Sequence, residues 1–282
     1  MTLSIITVTH NSARDIPRYV ETFLSSGSGR KGGAVEFIIV ENSGHPEIED
    51  LFQPLKDAGF PVRVVEAENR GFGPACNAGA AIANGSTLIF ANPDIEFLEA
   101  IDPIDHASPP HLWGTVRQID SKGRAYAFDV LPEYKTVIGS LRGWYSSLTP
   151  HNKKWIGRIF PVGSFYIISK LLFSQVGGFN ESFFMYYEEA EMSRRVQKLG
   201  LRPVYFENIS IHHKSFGSSS SFDSTMEYET AGFLNYERVT QVKRLIPVRL
   251  QTLMITSLLS KASRKRLACI RRQIKNRDKA PG

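Results

Sequence analysis

Short apolar runs rich in β-branched residues alternate, over the first hundred residues, with segments whose apolar positions recur at helical spacing. Such alternation of strands and helices predicts a mostly parallel sheet that is covered by helices on both faces, an α/β fold. The predicted strands are residues 3–9, 35–40, 62–66 and 88–91, and the predicted helices are residues 14–24, 47–58 and 74–83.

The second half of the chain gives a mixed pattern. Prolines and aromatic residues without a clear period fill residues 99–157, so no element is predicted there. Further on, the pattern predicts a strand (160–169), a helix with a glycine stop (170–178), a helix ended by Gly200 (188–199), a strand (202–206) and a polar loop that could act as a lid (214–225). We therefore predict one domain over residues 1–238, with halves 1–98 and 99–238, and a helical tail over residues 239–282.

The composition is that of a folded protein, but the charge is unevenly distributed. The 282 residues are 42% hydrophobic, which excludes a disordered chain. Of the net charge of +6, residues 239–282 carry +11, from 12 basic residues and one acid. The other 238 residues hold 22 basic and 27 acidic side chains, a balance of −5. This split argues against a nucleic-acid-binding protein and favours a body whose tail contacts an anionic surface.

No segment indicates export or membrane insertion. The two cysteines, Cys76 and Cys269, are far apart, which argues against a disulfide framework or a cysteine zinc site. The N-terminal apolar run is too short for a signal peptide, and no stretch approaches the roughly 18 apolar residues of a membrane span. We expect a cytoplasmic protein, peripheral at the inner face of the cell membrane.

Polar residues follow the carboxyl ends of the four predicted strands, where ligands bind in parallel sheets. The segment 69–79 contains Gly71-x-Gly73, but Cys76 stands where the dinucleotide fingerprint needs its third glycine, and no P-loop motif is present. Asp94 offers an oxygen ligand of the kind that magnesium or manganese prefers. The other rim residues are Thr9, Asn11, Glu41 and Asn92.

Two further groups in the second half are candidates for chemistry. Glu188 and Glu189 follow the aromatic stretch 183–187, and apolar neighbours raise a carboxyl pKa toward values useful to a general base. Acidic residues are also favoured at a helix start for purely structural reasons. Of the adjacent pair His212 and His213, at most one is expected to bind a metal.

Taken together, these segments resemble family 2 glycosyltransferases of the GT-A fold, and above all bacterial rhamnosyltransferases that build O-antigen, lipopolysaccharide and related cell-surface polysaccharides. The resemblance spans about residues 3–215. It is carried by SIITVTHNS (4–12), VENS (40–43), NRGFGPACNAG (69–79), ANPD (91–94), GSFYIIS (163–169), GGFNESFFMYYEEAEM (177–192) and IHH (211–213).

The resemblance implies a role for each matching residue. The base and ribose of a nucleotide-sugar would contact Thr9, Asn11 and Glu41, and its diphosphate region would lie near Arg70, Gly71 and Asn77. Asn92 would face the ribose or sugar, Asp94 would bind a divalent metal (magnesium or manganese), and His212 would be a further metal ligand. Gly163 and Ser164 would line the acceptor side, and Glu189, with Glu188 before it, would occupy the position of the catalytic base.

Three positions depart from the family pattern. Glu41 and Glu189 replace aspartates, and Asn92 replaces the first aspartate of the D-x-D motif. Whether Glu189 or Glu188 is the base stays open, because a base must lie within about 3 Å of the hydroxyl it deprotonates. These substitutions also keep open a sugar-nucleotide-binding protein that has lost catalysis.

The implied reaction is an inverting transfer of a sugar to a lipid-linked or oligosaccharide acceptor. Rhamnose from dTDP-rhamnose is the donor that the resemblance favours. The alternative is another family 2 transferase that uses a UDP-hexose or UDP-galactofuranose.

The tail reads as basic amphipathic helices, which lie at anionic membrane surfaces. Its apolar positions are Val242, Ile246, Leu250, Leu253, Met254 and Leu258, followed by Leu267, Ile270 and Ile274. The alternative is a helical pair that packs on the catalytic domain or on a second subunit, so an oligomer is compatible with the sequence.

Overall fold

A central sheet organises the chain. The structure is a computed structural model that describes residues 2–29, 34–106, 110–135, 157–214, 222–242, 245–257 and 261–277. Within these residues, nine strands form one sheet in the order β3-β2-β1-β4-β10-β6-β11-β5, with β7 paired to β6, and β8 and β9 form a second, two-stranded sheet. The strands are β1 (Thr2–Thr9), β2 (Ala34–Glu41), β3 (Val62–Glu66), β4 (Thr87–Ala91), β5 (Ile95–Phe97), β6 (Trp113–Asp120), β7 (Ala125–Tyr126), β8 (Phe128–Val130), β9 (Ile159–Pro161), β10 (Phe165–Ser169) and β11 (Val204–His213).

Helices cover both faces of the sheet. They are α1 (Ile16–Ser26), α2 (Gln53–Asp57), α3 (Phe72–Ile82), α4 (Asp102–His106), α5 (Lys170–Gln175), α6 (Glu188–Lys198), α7 (Phe222–Thr240), α8 (Leu245–Ser257) and α9 (Lys261–Arg277), with 3-10 turns at Pro46–Phe52 and Pro132–Tyr134. On one face, Phe23 of α1 packs edge-on against Phe37 and Phe97. On the other, a Cβ on Gly79 would lie 2.5 Å from Ile6, so glycine lets α3 lie directly on β1.

The four predicted N-terminal strands are confirmed, and β3, β2, β1 and β4 are mutually parallel. Their carboxyl ends therefore meet at one edge of the sheet. From β10 onward the sheet is mixed, because β10 runs antiparallel to both β4 and β6. A mostly parallel first half and a mixed second half position the candidate residues.

Three sequence-based boundaries were wrong in detail. The single strand predicted over residues 160–169 is two strands, because Pro161 and Gly163 interrupt it and β9 pairs with β8 instead of joining the central sheet. The strand predicted to stop at residue 206 continues to His213 through a bulge between Phe206 and Ser210. Residues 99–157 contain the central strand β6, whose first four residues are all buried, so the strand lacks the alternation that would have revealed it.

The C-terminal helices pack on the rest of the chain. Their apolar positions join one buried cluster with Leu131, Phe160, Phe183 and Ala190. Of the predicted apolar stripe, Met254 is 50% exposed, whereas Leu258 lies outside the described residues. Much of the tail's apolar surface is therefore occupied within the molecule.

The helical tail does not begin at a visible break. Helix α7 starts inside the polar loop predicted over residues 214–225, of which residues 215–221 lie outside the described part, and it runs through residue 238. The division at that residue stays a prediction. None of the described helices combines the length and apolar character needed to cross a bilayer.

Candidate active site

Glu41 is the centre of a buried hydrogen-bonded cluster where β1 and β2 end. Thr9 Oγ1 donates a 2.5 Å hydrogen bond to Glu41 Oε2, and the backbone N–H of Ser43 donates to Oε1 at 2.5 Å. The Ser43 hydroxyl also donates to Oε1. Parallel pairing places Thr9 opposite Glu41, so the two side chains predicted from separate motifs do meet. Because Glu41 is only 1% exposed, a ligand would contact the edge of this hydrogen-bonded cluster.

The loop after β1 presents Asn11 at the surface. Asn11 has a left-handed backbone (φ 54°), which a residue with a short polar side chain adopts more readily than most. Its side chain lies between two imidazoles, 3.3 Å from His10 Nε2 and 3.2 Å from His45 Nε2. Next to Glu41, Asn42 Oδ1 is buried and has no hydrogen-bond donor among the described groups. This edge therefore carries a mixture of donors and acceptors suited to a base or ribose.

The glycine-containing segment after β3 is held against the loop that precedes α6. The Phe72 N–H donates to the Phe184 carbonyl at 2.8 Å. A Cβ on Gly71 (φ 115°) would lie 2.3 Å from that carbonyl oxygen, so only glycine fits. The amide of Asn77 bonds both the N–H and the carbonyl of Phe179 at 2.9 Å each. Gly71 and Asn77 therefore order the loop before α6, in addition to lying at the rim of the sheet.

An ion pair also joins the segment after β3 to the loop that precedes α6. Arg70 lies 3.3 Å from Glu181, which also accepts a 3.1 Å hydrogen bond from Asn77. Both members of the Arg70–Glu181 pair are exposed, so the pair contributes little to stability. Its position at the rim leaves the guanidinium available to an anionic ligand. The sequence singled out Arg70 but not Glu181.

Asp94 lies beside His213, and not beside the predicted His212. His213 Nε2 is 3.4 Å from Asp94 Oδ1, whereas His212 Nδ1 is 3.9 Å from Glu96 Oε1. The two histidines point to opposite sides of β11 because successive side chains alternate across a strand. The sequence-based prediction pairs Asp94 with His212; the structure brings His213 next to Asp94 instead, and the identity of the metal-binding imidazole stays a prediction.

The Asp94–His213 pair fits a divalent metal. Tyr126 Oη is 2.6 Å from His213 Nδ1; a proton on Nδ1 shared with that oxygen leaves the Nε2 lone pair for a metal. A carboxylate oxygen and an imidazole nitrogen that lie 3.4 Å apart are donor types that would together hold one divalent ion. In the described part of the chain, no three His, Cys, Asp or Glu side chains form a group that could hold a metal. Further ligands would come from a diphosphate and water, which is usual for magnesium.

The predicted acceptor-side residues are placed by the turn between β9 and β10. The Ser164 hydroxyl donates to Gln118 Oε1, and the Ser164 carbonyl accepts the Asn92 N–H at 3.0 Å. Ser164 therefore ties the loop after β4 to β6, with its side chain buried. Gly163 instead borders Glu189, since a Cβ there would lie 3.4 Å from Glu189 Oε1.

Glu188 and Glu189 begin α6 after two strained residues. Tyr186 and Tyr187 have φ values of 68° and 71°, a left-handed conformation that costs a bulky residue on the order of 1–3 kcal/mol. Gly232 of α7 allows this conformation, because a Cβ there would lie 2.5 Å from the Tyr186 carbonyl oxygen. Helix α7 therefore holds the backbone that positions the two carboxylates.

The two carboxylates have different surroundings. Glu188 faces α3, where burial of the Cys76 thiol, and secondly the charge of Glu188, raise the pKa of that thiol. The pKa of Glu188 is itself raised well above the ordinary value by burial and by the charge of Glu189. Burial raises the pKa of Glu189 to about 7; the charge of Asp129 adds to this rise and that of Lys135 opposes it. One oxygen of each carboxylate is buried without a hydrogen-bond partner among the described groups. Glu189, next to Gly163, is the carboxylate on the predicted acceptor side.

Sequence reasoning missed Gln118, Tyr126, Asp129 and Lys135. All four lie in residues 99–157, where no periodic pattern or motif marked them.

The chain is similar to known glycosyltransferases. Residues 4–171 match the family described as Glycosyl transferase family 2. The chain is 26% identical over 235 residues to the low-salt glycan biosynthesis hexosyltransferase Agl10 of Haloferax volcanii, covering 80% of this chain and 71% of that protein.

Two further similarities are more limited. A 54-residue segment is 39% identical to N-acetylglucosaminyl-diphospho-decaprenol L-rhamnosyltransferase of Mycobacterium tuberculosis, which is 19% of this chain and 18% of that protein. The fold matches mannosyltransferase PcManGT from Pyrobaculum calidifontis in complex with GDP-Man and Mn2+, with a TM-score of 0.59 and 14% identity, over 99% of this chain and 76% of that one.

Proposed function

Because the chain belongs to glycosyl transferase family 2, we propose that it transfers rhamnose from dTDP-rhamnose to a hydroxyl of a lipid-linked or oligosaccharide acceptor. The chain is a glycosyltransferase with a GT-A-like fold that moves a hexose or rhamnose. The short similarity to a mycobacterial rhamnosyltransferase supports rhamnose and a lipid-linked acceptor. The proposed role is in O-antigen, lipopolysaccharide or related cell-surface polysaccharide synthesis.

The observation that carries the mechanism is the half-buried Glu189 beside Gly163, whose Oε2 is buried without a hydrogen-bond partner among the described groups. With a pKa near 7, this group is ionised often enough to accept a proton and basic enough to hold it. In the proposed step the acceptor O–H proton moves to Glu189, and the oxygen attacks the anomeric carbon. The bond from that carbon to the diphosphate breaks on the opposite face, so the configuration inverts.

The other rim residues would hold the donor. Thr9, Asn11 and Glu41 border the proposed base and ribose site, and Arg70 offers a guanidinium to the diphosphate. Asp94 and His213 would hold the divalent metal, in place of the expected pair of Asp94 and His212. When bound, the metal would act as a Lewis acid that neutralises the leaving diphosphate. The mannosyltransferase of the same fold contains Mn2+, which supports this cofactor.

A donor panel tests the proposal. Purified chain would be incubated with dTDP-rhamnose, UDP-glucose, UDP-galactofuranose and GDP-mannose, each with Mg2+ or Mn2+ and a short-chain N-acetylglucosaminyl-diphospho-lipid acceptor. Product formed from dTDP-rhamnose with inverted configuration supports the proposal. Transfer only from another donor refutes rhamnose, and neither transfer nor donor hydrolysis from any donor would refute catalysis. Glu188→Gln is the control for Glu189→Gln in this assay.

A UDP-hexose donor is the second candidate. It is favoured by the similarity to the archaeal hexosyltransferase, which covers far more of this chain than the rhamnosyltransferase segment does. Binding of dTDP, UDP and GDP, measured by the thermal shift each nucleotide produces with metal, separates the two donors before any acceptor is known.

We also propose that the chain binds the anionic inner face of the cell membrane through residues 239–282. Since much of the tail's apolar stripe packs inside the molecule, binding would depend mainly on charge, at about 1 kcal/mol for each basic residue near the surface. Exposed basic side chains at Lys261, Arg264, Arg271 and Lys275 share one face of α9. This surface would bring the catalytic face near a lipid-linked acceptor.

Point variants are the appropriate membrane test, because cutting the chain near residue 240 would uncover the buried C-terminal cluster. Arg271→Glu/Lys275→Glu should lose co-sedimentation with phosphatidylglycerol vesicles, and about 0.5 M salt should do the same to the native chain. Lys122→Glu/Lys198→Glu changes equal charge on the body and should still sediment. Equal sedimentation of both double variants would refute the proposal.

A further inference from the structure

Two aromatic rings lie exposed where α7 meets the segment before the catalytic carboxylates. Phe184 and Tyr228 are 38% and 42% exposed, and their ring centroids are 5.1 Å apart with an angle of 32° between the planes. Two stacked rings that both remain in contact with water present a joint apolar surface of about the width of a sugar ring.

The pair is held in place from both sides. Phe184 is anchored through its carbonyl, which accepts the Phe72 N–H and lies against Gly71. Tyr228, Gly232 and Asn235 are spaced i, i+4, i+7 and so share one face of α7. That face continues from the Phe184 contact to the Tyr186 backbone and then to the Ser182 carbonyl, at 3.1 Å from Asn235 Nδ2.

Other aromatic residues of the same interface pack inward. The Tyr187 ring lies 5.8 Å from that of Phe233 and 6.0 Å from that of Tyr236, inside the C-terminal cluster. Phe184 and Tyr228 are the members of this interface that face out, and Glu188 begins α6 only four residues after Phe184. An exposed rigid pair so close to the carboxylates is suited to bind a ligand.

We propose that Phe184 and Tyr228 form a platform on which a pyranose ring of the acceptor stacks. The apolar C–H face of a sugar ring pairs with the negative face of an aromatic ring, and such contacts need no charged partner. This inference rests on the proposed function, since it assigns a subsite of the same active site. The platform is assigned to the acceptor because Tyr228 lies on the helix that braces Glu188 and Glu189, whereas Thr9 and Glu41 of the base and ribose site end β1 and β2. Phe184 meets the donor-side Gly71 through its backbone.

Binding of simple glycosides tests the platform without requiring turnover. Saturation-transfer NMR would use the methyl glycosides of N-acetylglucosamine, rhamnose and galactose with the native chain. We expect signal on the ring C–H protons of at least one glycoside, at least a threefold loss in Tyr228→Ala and Phe184→Ala, and retention in Tyr228→Phe. Leu171→Ala, which removes a 60% exposed side chain on α5, should also retain it. No signal with the native chain, or equal signal in the alanine variants, would overturn the platform.

Kinetics then separate acceptor from donor. With whichever donor supports turnover, Tyr228→Ala should raise the acceptor KM by about tenfold and leave the donor KM within about twofold. A rise confined to the donor KM would overturn the assignment to the acceptor. If no donor supports turnover the proposed function fails, while the glycoside binding still decides for or against the platform.

Discussion

Replacing Glu189 by glutamine should slow transfer by orders of magnitude and at the same time stabilise the folded chain, increasingly so as pH rises. Burial raises the pKa of Glu189 from 4.5 to about 7, so the folded chain binds this proton more tightly than the unfolded chain does. The stability associated with the protonated group is complete below about pH 4.5 and is lost as pH rises through about 7. Each pKa unit corresponds to about 1.4 kcal/mol, so the loss reaches up to about 3 kcal/mol at pH 8.

Urea unfolding measures this effect directly. Glutamine keeps the shape of the side chain but cannot ionise. The difference in free energy of unfolding between Glu189→Gln and the native chain should therefore be about 2 kcal/mol larger at pH 8 than at pH 5. Glu207→Gln removes an exposed carboxylate and serves as the control, with an expected change within about 0.5 kcal/mol at both pH values. The same pH dependence for the native chain and Glu189→Gln would refute the buried-carboxylate reasoning.

The turnover rate kcat tests the role of Glu189 independently of the unfolding measurement. Loss of a general base lowers kcat by about 10²–10⁴-fold, and nucleotide binding should be unchanged because Glu189 lies on the acceptor side. For the native chain, the ionised fraction of a group with a pKa of about 7 rises about tenfold between pH 6 and pH 8, and kcat should follow. A stabilised variant with native kcat would show that Glu189 is buried for another reason.

Three further predictions concern separate parts of the structure. Gly71→Ala should lower the Tm by several degrees more than Gly27→Ala, since both have positive φ but only Gly71 meets a neighbour, at 2.3 Å; equal shifts would contradict the close contact. Burial alone would raise the pKa of Glu36, but the bonds and charge around it lower it, so its stabilisation holds above about pH 4.5 and is lost as pH falls below that; Glu36→Gln should cost about 1–3 kcal/mol at pH 7 and less at pH 3 in urea unfolding. His213→Ala should raise the Mn2+ concentration for half-maximal activity by about tenfold or more, and His212→Ala should leave it within about twofold; the reverse result would restore His212 as the ligand.

Local patterns were sufficient for the first half of the fold. Apolar runs of four to seven residues, separated by segments with helical spacing, predicted β1 to β4 and helical segments between them, because both faces of a parallel sheet must be buried. Since parallel strands share their carboxyl edge, strand order along the chain was also enough to expect Thr9 and Glu41 at one rim.

The second half depended on contacts between distant residues. Strand β6 is buried on both faces and has no alternation, so Gln118 in its interior could not be read from a pattern. The bulge in β11 is a matter of pairing register, which is set by the partner strand and not by the local sequence.

The sequence by itself determined the α/β class, the four parallel strands, the rim of polar residues and the presence of a carboxylate pair at a helix start, because each of these follows from local composition and spacing. Only the tertiary structure decided that His213 faces Asp94, that Glu189 borders Gly163 and that much of the tail's apolar stripe packs within the molecule. The physical reason is that these outcomes depend on which side of an element a residue faces after packing. A shift of one residue along a strand, or the docking of one helix, reverses that orientation while leaving every local pattern unchanged.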